Sequence, residues 1–234
     1  MVNGDPGAAA TVGGASWLAL LRGDVTYRRR FSLLGREWDL FPGVFSPMQS
    51  HSTGFFSRAV PQREGGTFLD VGCGSGVMAV EAALAGCRKV LAVDLDTAAV
   101  DNTLHNARLH GAEAVSAQVS DCFADIPPQL RFDTVFWSLP YAAVPADDPS
   151  ALDTGAHTIC DVGHRCLRAY LSGVGGRLAP GGRAFLGFSD MGDHAALVHT
   201  AEENGWSPRL LAASSGEPNP NIEHHLYELI SMRR

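Results

Sequence analysis

Four short stretches of this 234-residue chain carry residue types whose order and spacing could do chemistry together. FLDVGCGSG, at 68–76, is an apolar run ending in Asp70 and then Gly72, Gly74 and Gly76. Glycines so placed let the backbone turn tightly and approach a bound molecule, because no Cβ stands in the way. VDLD, at 93–96, puts Asp94 at the end of the next apolar run, where a carboxylate can accept two hydrogen bonds from a ribose diol. SDCF, at 120–123, offers Asp121 to an adenine amino group, with Cys122 and Phe123 as apolar contacts. FWSLPY, at 136–141, closes the series with one hydroxyl, one proline and a terminal aromatic ring. The glycine spacing is G-x-G-x-G, and Val77 stands where a nicotinamide-dinucleotide loop wants its third glycine.

Each stretch needs a strand to bring it to a common edge, and the surrounding pattern supplies five. TFLDVG, KVLAVDLD, AVSAQVSD, FDTVFWSLPY and GGRAFLGFSD read as strands. Between or beside them, VMAVEAALAG, TAAVDNTLHNARLHG, CDVGHRCLRAYLSGVGGRL and DHAALVHTAEENG read as helices. SPRLLAAS and EHHLYELISM follow as two strands with no room for a helix between them, so they should pair antiparallel. The expectation is an α/β fold: a Rossmann-like, doubly wound, mostly parallel seven-stranded sheet with an antiparallel C-terminal strand pair. Asp96 is expected to cap the helix that begins at Thr97. Upstream, SWLALLRG suggests a short helix, and TYRRRFSLLGREWDLF a hairpin turning at Leu34-Gly35-Arg36. Residues 1–41 are therefore expected to form a flexible tail, short helix and hairpin, and residues 42–234 a ligand-binding domain.

Composition narrows the partners. The net charge is −7, and an acidic surface repels phosphate backbones, so no nucleic-acid partner is expected. Arg28-Arg29-Arg30 is read as a solvated strand edge. Five cysteines with no CxxC pair suit a reduced compartment, and no apolar run approaches the ~20 residues that span a bilayer. The start of the chain lacks a signal-peptide pattern, so a cytoplasmic protein with no membrane partner is expected. Asp153, His157, Asp161 and His164 would share one face if their stretch were a single helix, and are read as a polar lid rather than a metal site. His224 and His225 are placed on an edge strand, one of them exposed.

FLDVGCGSG, VDLD, SDCF and FWSLPY together resemble the class I methyltransferases that use S-adenosylmethionine, and FPGVFSP at 41–47 is similar to the small-domain group among them. The resemblance covers about residues 42 to 141. It implies S-adenosylmethionine as cofactor, with Gly72, Gly74 and Gly76 wrapping its methionine part, Asp94 on its ribose and Asp121 on its adenine. Asp70 would orient the loop or meet the cofactor's ammonium group. Cys73, Leu95 and Cys122 are counted with this cofactor site. The amine-methylating relatives end the fourth strand in a polar residue, Pro-Pro, then Tyr or Phe; here Leu139 replaces the first proline. Ser138, Leu139, Pro140 and Tyr141 are accordingly expected to hold the methyl acceptor, with Phe45, Phe55 and Trp137 as further aromatic wall candidates. A small-molecule acceptor is expected, an amine nitrogen before a hydroxyl. A protein acceptor is the alternative, ahead of a nicotinamide-dependent oxidoreductase or a non-catalytic cofactor-binding module.

Overall fold

A period of two in the strands decides what each face of the sheet buries. In this computed structural model, which describes residues 28–140, 142–144 and 160–232, the chain builds a hairpin, a central seven-stranded sheet and five α-helices among the described residues. The strands are β1 (Arg29–Leu33), β2 (Arg36–Leu40), β3 (Thr67–Val71), β4 (Lys89–Asp94), β5 (Val115–Val119) and β6 (Phe132–Ser138), then β7 (Ala142–Val144), β8 (Cys160–Val162), β9 (Leu178–Ser189), β10 (Trp206–Gly216) and β11 (Asn219–Ser231). The helices are α1 (Ser52–Ala59), α2 (Val77–Leu84), α3 (Thr97–Leu109), α4 (Arg165–Gly173) and α5 (His194–Glu203).

The sheet runs β5-β4-β3-β6-β9-β11-β10, parallel from β5 to β9. β11 pairs antiparallel with both β9 and β10, so it alone runs against the rest. The expected fold and its antiparallel C-terminal pair are present. The strand order reverses at β3, the point where a doubly wound sheet opens a crevice beyond its strand ends.

Leu69, Val71, Val135, Trp137 and Leu186 face one way and meet Leu167 and Leu171 of α4 and Leu197 of α5. Their neighbours Phe68, Phe136 and Phe185 face the other way, onto Phe56 of α1 and Met78 and Ala79 of α2. Each such large apolar side chain contributes about 1.5–3 kcal/mol when fully buried. The alternation therefore fixes the register, and with it the height at which each strand's terminal polar residue emerges.

The hairpin forms as expected, with Leu34 and Gly35 at positive φ in its turn. It is tied down. Phe31, Trp38 and Leu40 pack on Val77 and Val80 of α2 and Ala99 and Ala107 of α3. Two buried asparagines on α3 clamp it: Asn102 accepts from Phe41 N at 2.8 Å and donates to Asp39 O at 2.8 Å. Asn106 accepts from Asp39 N at 3.1 Å and donates to Asp39 O and to Ser75 O, each at 2.8 Å. One side chain thus joins the hairpin to the glycine loop. Arg28 and Arg30 are not merely solvated: both pair with the Asp39 carboxylate, which His105 also meets. Burial pushes that carboxyl up, but the His105, Arg30 and Arg28 contacts outweigh it and hold it at about 2.

Two expectations fail in the second half. The helix expected from Cys160 begins only at Arg165, because 160–162 pair as a strand with β7. The Asp161 carboxylate instead accepts from Cys166 N at 2.8 Å and Leu167 N at 3.0 Å, satisfying amides at the start of α4. His164 sits at φ 57° before that helix, 3.6 Å from Asp193, so it shares no helical face with Asp161. Asp153, His157 and the expected helix near Trp17 lie outside the described residues. Nor is β11 an edge strand. β10 covers it, and His224 is 1% exposed while His225 is mostly buried.

Candidate active site

The chain turns from β3 into α2 through residues that only glycine could occupy at this spacing. Gly72 has φ 68°, and a Cβ there would lie 2.5 Å from Trp137 Nε1. Gly76, at φ 81°, leads into α2, and its Cβ would lie 2.7 Å from Thr103 Cα. Gly72 N and Cys73 N both donate to Val93 O, at 2.8 and 3.0 Å, which pins the loop to the end of β4. Gly74 N donates to Asp94 Oδ2 at 3.0 Å, and the other Asp94 oxygen accepts from Asp96 N at 3.0 Å. Asp94 therefore organises the loop from the neighbouring strand. Asp96 does cap α3, accepting from Ala98 N at 2.8 Å.

Above the loop lies a cleft of about 230 Å³. Of the predicted cofactor residues, Asp70, Gly72, Cys73, Gly74, Asp94, Leu95, Asp121 and Cys122 line it, while Gly76 stands behind the loop. Leu95 is 52% exposed there. Asp121 pairs with Arg165 across the cleft. Ser138, Leu139 and Pro140 line the far end, where Leu139 N donates to Gly187 O at 3.1 Å and fixes the end of β6 against β9. Tyr141 lies outside the described residues. Phe45 and Trp137 do line the cleft, but Phe55 does not; its neighbour Phe56 takes the place.

Asp70 has the most perturbed chemistry of the site. Its side chain is 2% exposed, and its Oδ2 has no hydrogen-bond partner. Burial first, then the nearby Asp94 charge, pushes its carboxyl up to about 8. A backbone hydrogen bond from Ala79 partly offsets this, but a buried carboxylate oxygen without a partner is costly. A cation seated in the cleft would relieve that cost.

Sequence reasoning missed that α1 lines the cleft. Ser52, Thr53, Phe56 and Ser57 of α1 line the cleft, as do Gly43, Val44 and Pro47 before it. The signal was present as small hydroxyl residues on the apolar face of a short helix, but such residues are common and local spacing does not say what they face.

These residues fit an S-adenosyl cofactor in its donor chemistry: a buried acid with an unpartnered oxygen for a cation, a cradle at Gly72 that a Cβ would fill, Asp94 at the end of β4, and exposed Leu95 for a ring face. Among the described residues, no three His, Cys, Asp or Glu side chains are grouped to hold a metal, and no helix is long and apolar enough to cross a membrane.

Known proteins match the same stretch. A family model described as ribosomal protein L11 methyltransferase (PrmA) matches residues 55–137. The ribosomal protein L11 methyltransferase of Herpetosiphon aurantiacus is 46% identical over 61 residues, 26% of this chain and 19% of its own length. That of Desulforapulum autotrophicum is 27% identical over 172 residues, 72% of this chain and 49% of its own length. The chain thus spans at most about half of these two relatives. A Thermus thermophilus 16S rRNA N2 G1207 methyltransferase, solved with AdoMet and guanosine, shares the fold at TM-score 0.60 and 23% identity, over 87% of this chain and 50% of that one. Relatives named for a protein acceptor overturn the expectation of a small-molecule acceptor and of a role in small-molecule metabolism. Acidic charge and the departure at Leu139 argue against nucleic acid and against one particular motif; neither distinguishes a protein from a metabolite. In the matched stretch, the strand order and the loop at 68–76, this chain is similar to the class I S-adenosylmethionine-dependent methyltransferases.

Proposed function

We propose that the chain transfers a methyl group from S-adenosylmethionine to a protein, at a nitrogen presented to the end of β6. The observation that carries the cofactor assignment is the buried Asp70 carboxylate, unpartnered at Oδ2 beside the Gly72 cradle. When bound, the cofactor supplies an electrophilic methyl on a sulfonium. Asp70 meets the ammonium of its amino-acid end, Asp94 the ribose and Asp121 the adenine, with Leu95 and Cys122 against the ring. Gly72, Cys73 and Gly74 give backbone close enough to follow the methionine part, and Gly76 lets the loop enter α2.

The acceptor side rests on Ser138, Leu139 and Pro140, with Tyr141 next in the chain. The Ser138 hydroxyl and the carbonyls around it accept from the acceptor's N–H groups and aim the nitrogen lone pair at the methyl. Positioning of this kind can remove roughly 7–11 kcal/mol of barrier without a covalent intermediate. With the cofactor bound, the acceptor nitrogen held there would take the methyl, the cofactor would be left as a neutral thioether, and the proton lost from nitrogen would pass to solvent. A protein acceptor is supported by the names of the relatives that match.

The test uses methyl-labelled S-adenosylmethionine, the purified protein and a cell extract, with products separated into protein, RNA and small molecules. Label in one protein band, absent with Asp94→Ala, is the expected result. Label only in RNA or metabolites would overturn the protein assignment.

A further inference from the structure

A hydroxyl inside a helix normally returns its hydrogen bond to a carbonyl one turn back. Ser172 on α4 does so, donating to Arg168 O at 2.7 Å. Ser57 on α1 does not. It is 7% exposed, its Oγ has no hydrogen-bond partner, and it lines the same cleft as Asp70. Thr53 stands one turn before it and also lines the cleft, so α1 turns a hydroxyl-bearing face toward the cofactor loop.

Two buried polar atoms, Asp70 Oδ2 and Ser57 Oγ, are therefore left unsatisfied on one cavity, one an acceptor and the other able to donate. Native proteins rarely leave such atoms unpartnered without a ligand or water to meet them. A zwitterionic amino-acid end carries its ammonium and carboxylate on one carbon, so a group that holds the first brings the second within a few ångströms. The carboxylate then needs donors, and the glycine loop has few to spare: Gly72 N and Cys73 N donate to Val93 O, Gly74 N to Asp94, and Gly76 N to Cys73 O.

We infer that Ser57 donates to the carboxylate of the cofactor's amino-acid end, opposite Asp70 on its ammonium, so that the two residues select ligands with an intact amino acid. This rests on the cofactor reading above and adds a recognising residue to it. Ser57 touches the cofactor and not the reacting methyl, so its signature is in binding.

The experiment is calorimetric titration of the full chain and of Ser57→Ala with S-adenosylmethionine, with its decarboxylated analogue, which keeps the amine, and with methylthioadenosine, which lacks both groups. Wild type should prefer S-adenosylmethionine. Ser57→Ala should lose about tenfold in affinity for it, the usual cost of a hydrogen bond to a charged group, and nothing for the other two. The unliganded variant should melt no lower than wild type, because the lost hydroxyl had no partner, while its melting-temperature gain with S-adenosylmethionine should shrink. Ser57→Thr, which keeps a hydroxyl, should recover part of the preference. An equal loss for all three ligands, or none for S-adenosylmethionine, overturns the inference while leaving the cofactor reading intact. Wild type binding none of the three overturns both.

Discussion

The two ends of the cleft are built in different ways. The end at β3, β4 and β5 comes from strand termini that follow one another in sequence, each delivering one acid: Asp70, Asp94, Asp121. The end beyond β6 is assembled from distant parts, the segment from Gly43 to Ser57, the Ser138–Pro140 strand end, and Arg165 and Cys166 at the start of α4. In the proposed reading the first end holds an invariant chemical group, so local spacing specifies it. The second is proposed to receive the acceptor, apart from Ser57, which is assigned above to the cofactor's amino-acid end, and its shape depends on how separate elements pack. That is why the cofactor reading stands while the acceptor reading needed correction.

The largest effect expected at the cofactor end concerns Asp70. Its folded pKa near 8 lies above the ordinary 3.8, so the native state holds a proton that the unfolded chain releases. The stability this contributes is complete below about pH 4 and is lost as pH rises through about 8, up to about 6 kcal/mol for a fully buried group. Denaturant titrations of the unliganded protein from pH 4 to 9 should show that decline, and Asp70→Asn should flatten it. An unchanged slope would remove Asp70 as the group responsible. Cofactor binding near neutral pH should release protons in wild type, read as a buffer-dependent heat, and not in Asp70→Asn.

Gly72→Ala ranks next. Its Cβ would press on the Trp137 indole at 2.5 Å in a left-handed backbone, which costs about 2–4 kcal/mol through overpacking and strain. Cofactor affinity should fall with stability, since the same loop carries both. Asn106→Ala should cost about 2–3 kcal/mol by leaving Asp39 N and Ser75 O without their Asn106 partner, while Asp39 O keeps Asn102. It tests whether the hairpin shapes the cofactor loop. Reduced cofactor affinity at temperatures where the variant is fully folded is expected, and intact affinity would make the clamp structural only.

Those last two residues mark what the sequence could convey. The strand and helix order, the glycine loop, the acids at the strand ends and the Asp96 cap were legible because periodicity and spacing are local. Asn102 and Asn106 were not, since nothing in TAAVDNTLHNARLHG says that a distant β2 backbone lies against them. The break between β8 and α4 was hidden for a related reason. Asp161 to Arg168 keeps helical spacing of polar residues, but 160–162 pair with β7, a contact no local pattern encodes. The lining role of α1 was equally hidden, because it depends on packing against β6, β9 and β11. Gly187 makes that packing possible, as a Cβ there would meet the Phe56 ring at 2.8 Å.

Asp94→Ala should weaken cofactor binding by about 1.5–3 kcal/mol, the range for hydrogen bonds to a charged group. Part of this would come through the loop, because Asp94 also holds Gly74 N.

The smallest expected effect lies where the two ends meet. Arg165 and Asp121 pair across the cleft, but their side chains are 68% and 52% exposed, and exposed ion pairs contribute about 0–1 kcal/mol. Arg165→Ala should thus barely change stability. If Asp121 accepts from the adenine amino group, it needs no arginine to do so, and cofactor affinity in Arg165→Ala should stay within about a few-fold of wild type. Asp121→Ala should lower it more. A loss on Arg165→Ala matching that of Asp121→Ala would mean that the pair acts as a unit, closing the adenine end from α4. The two ends of the cleft would then be coupled through one side chain, and the acceptor side would have to be counted in any account of cofactor affinity.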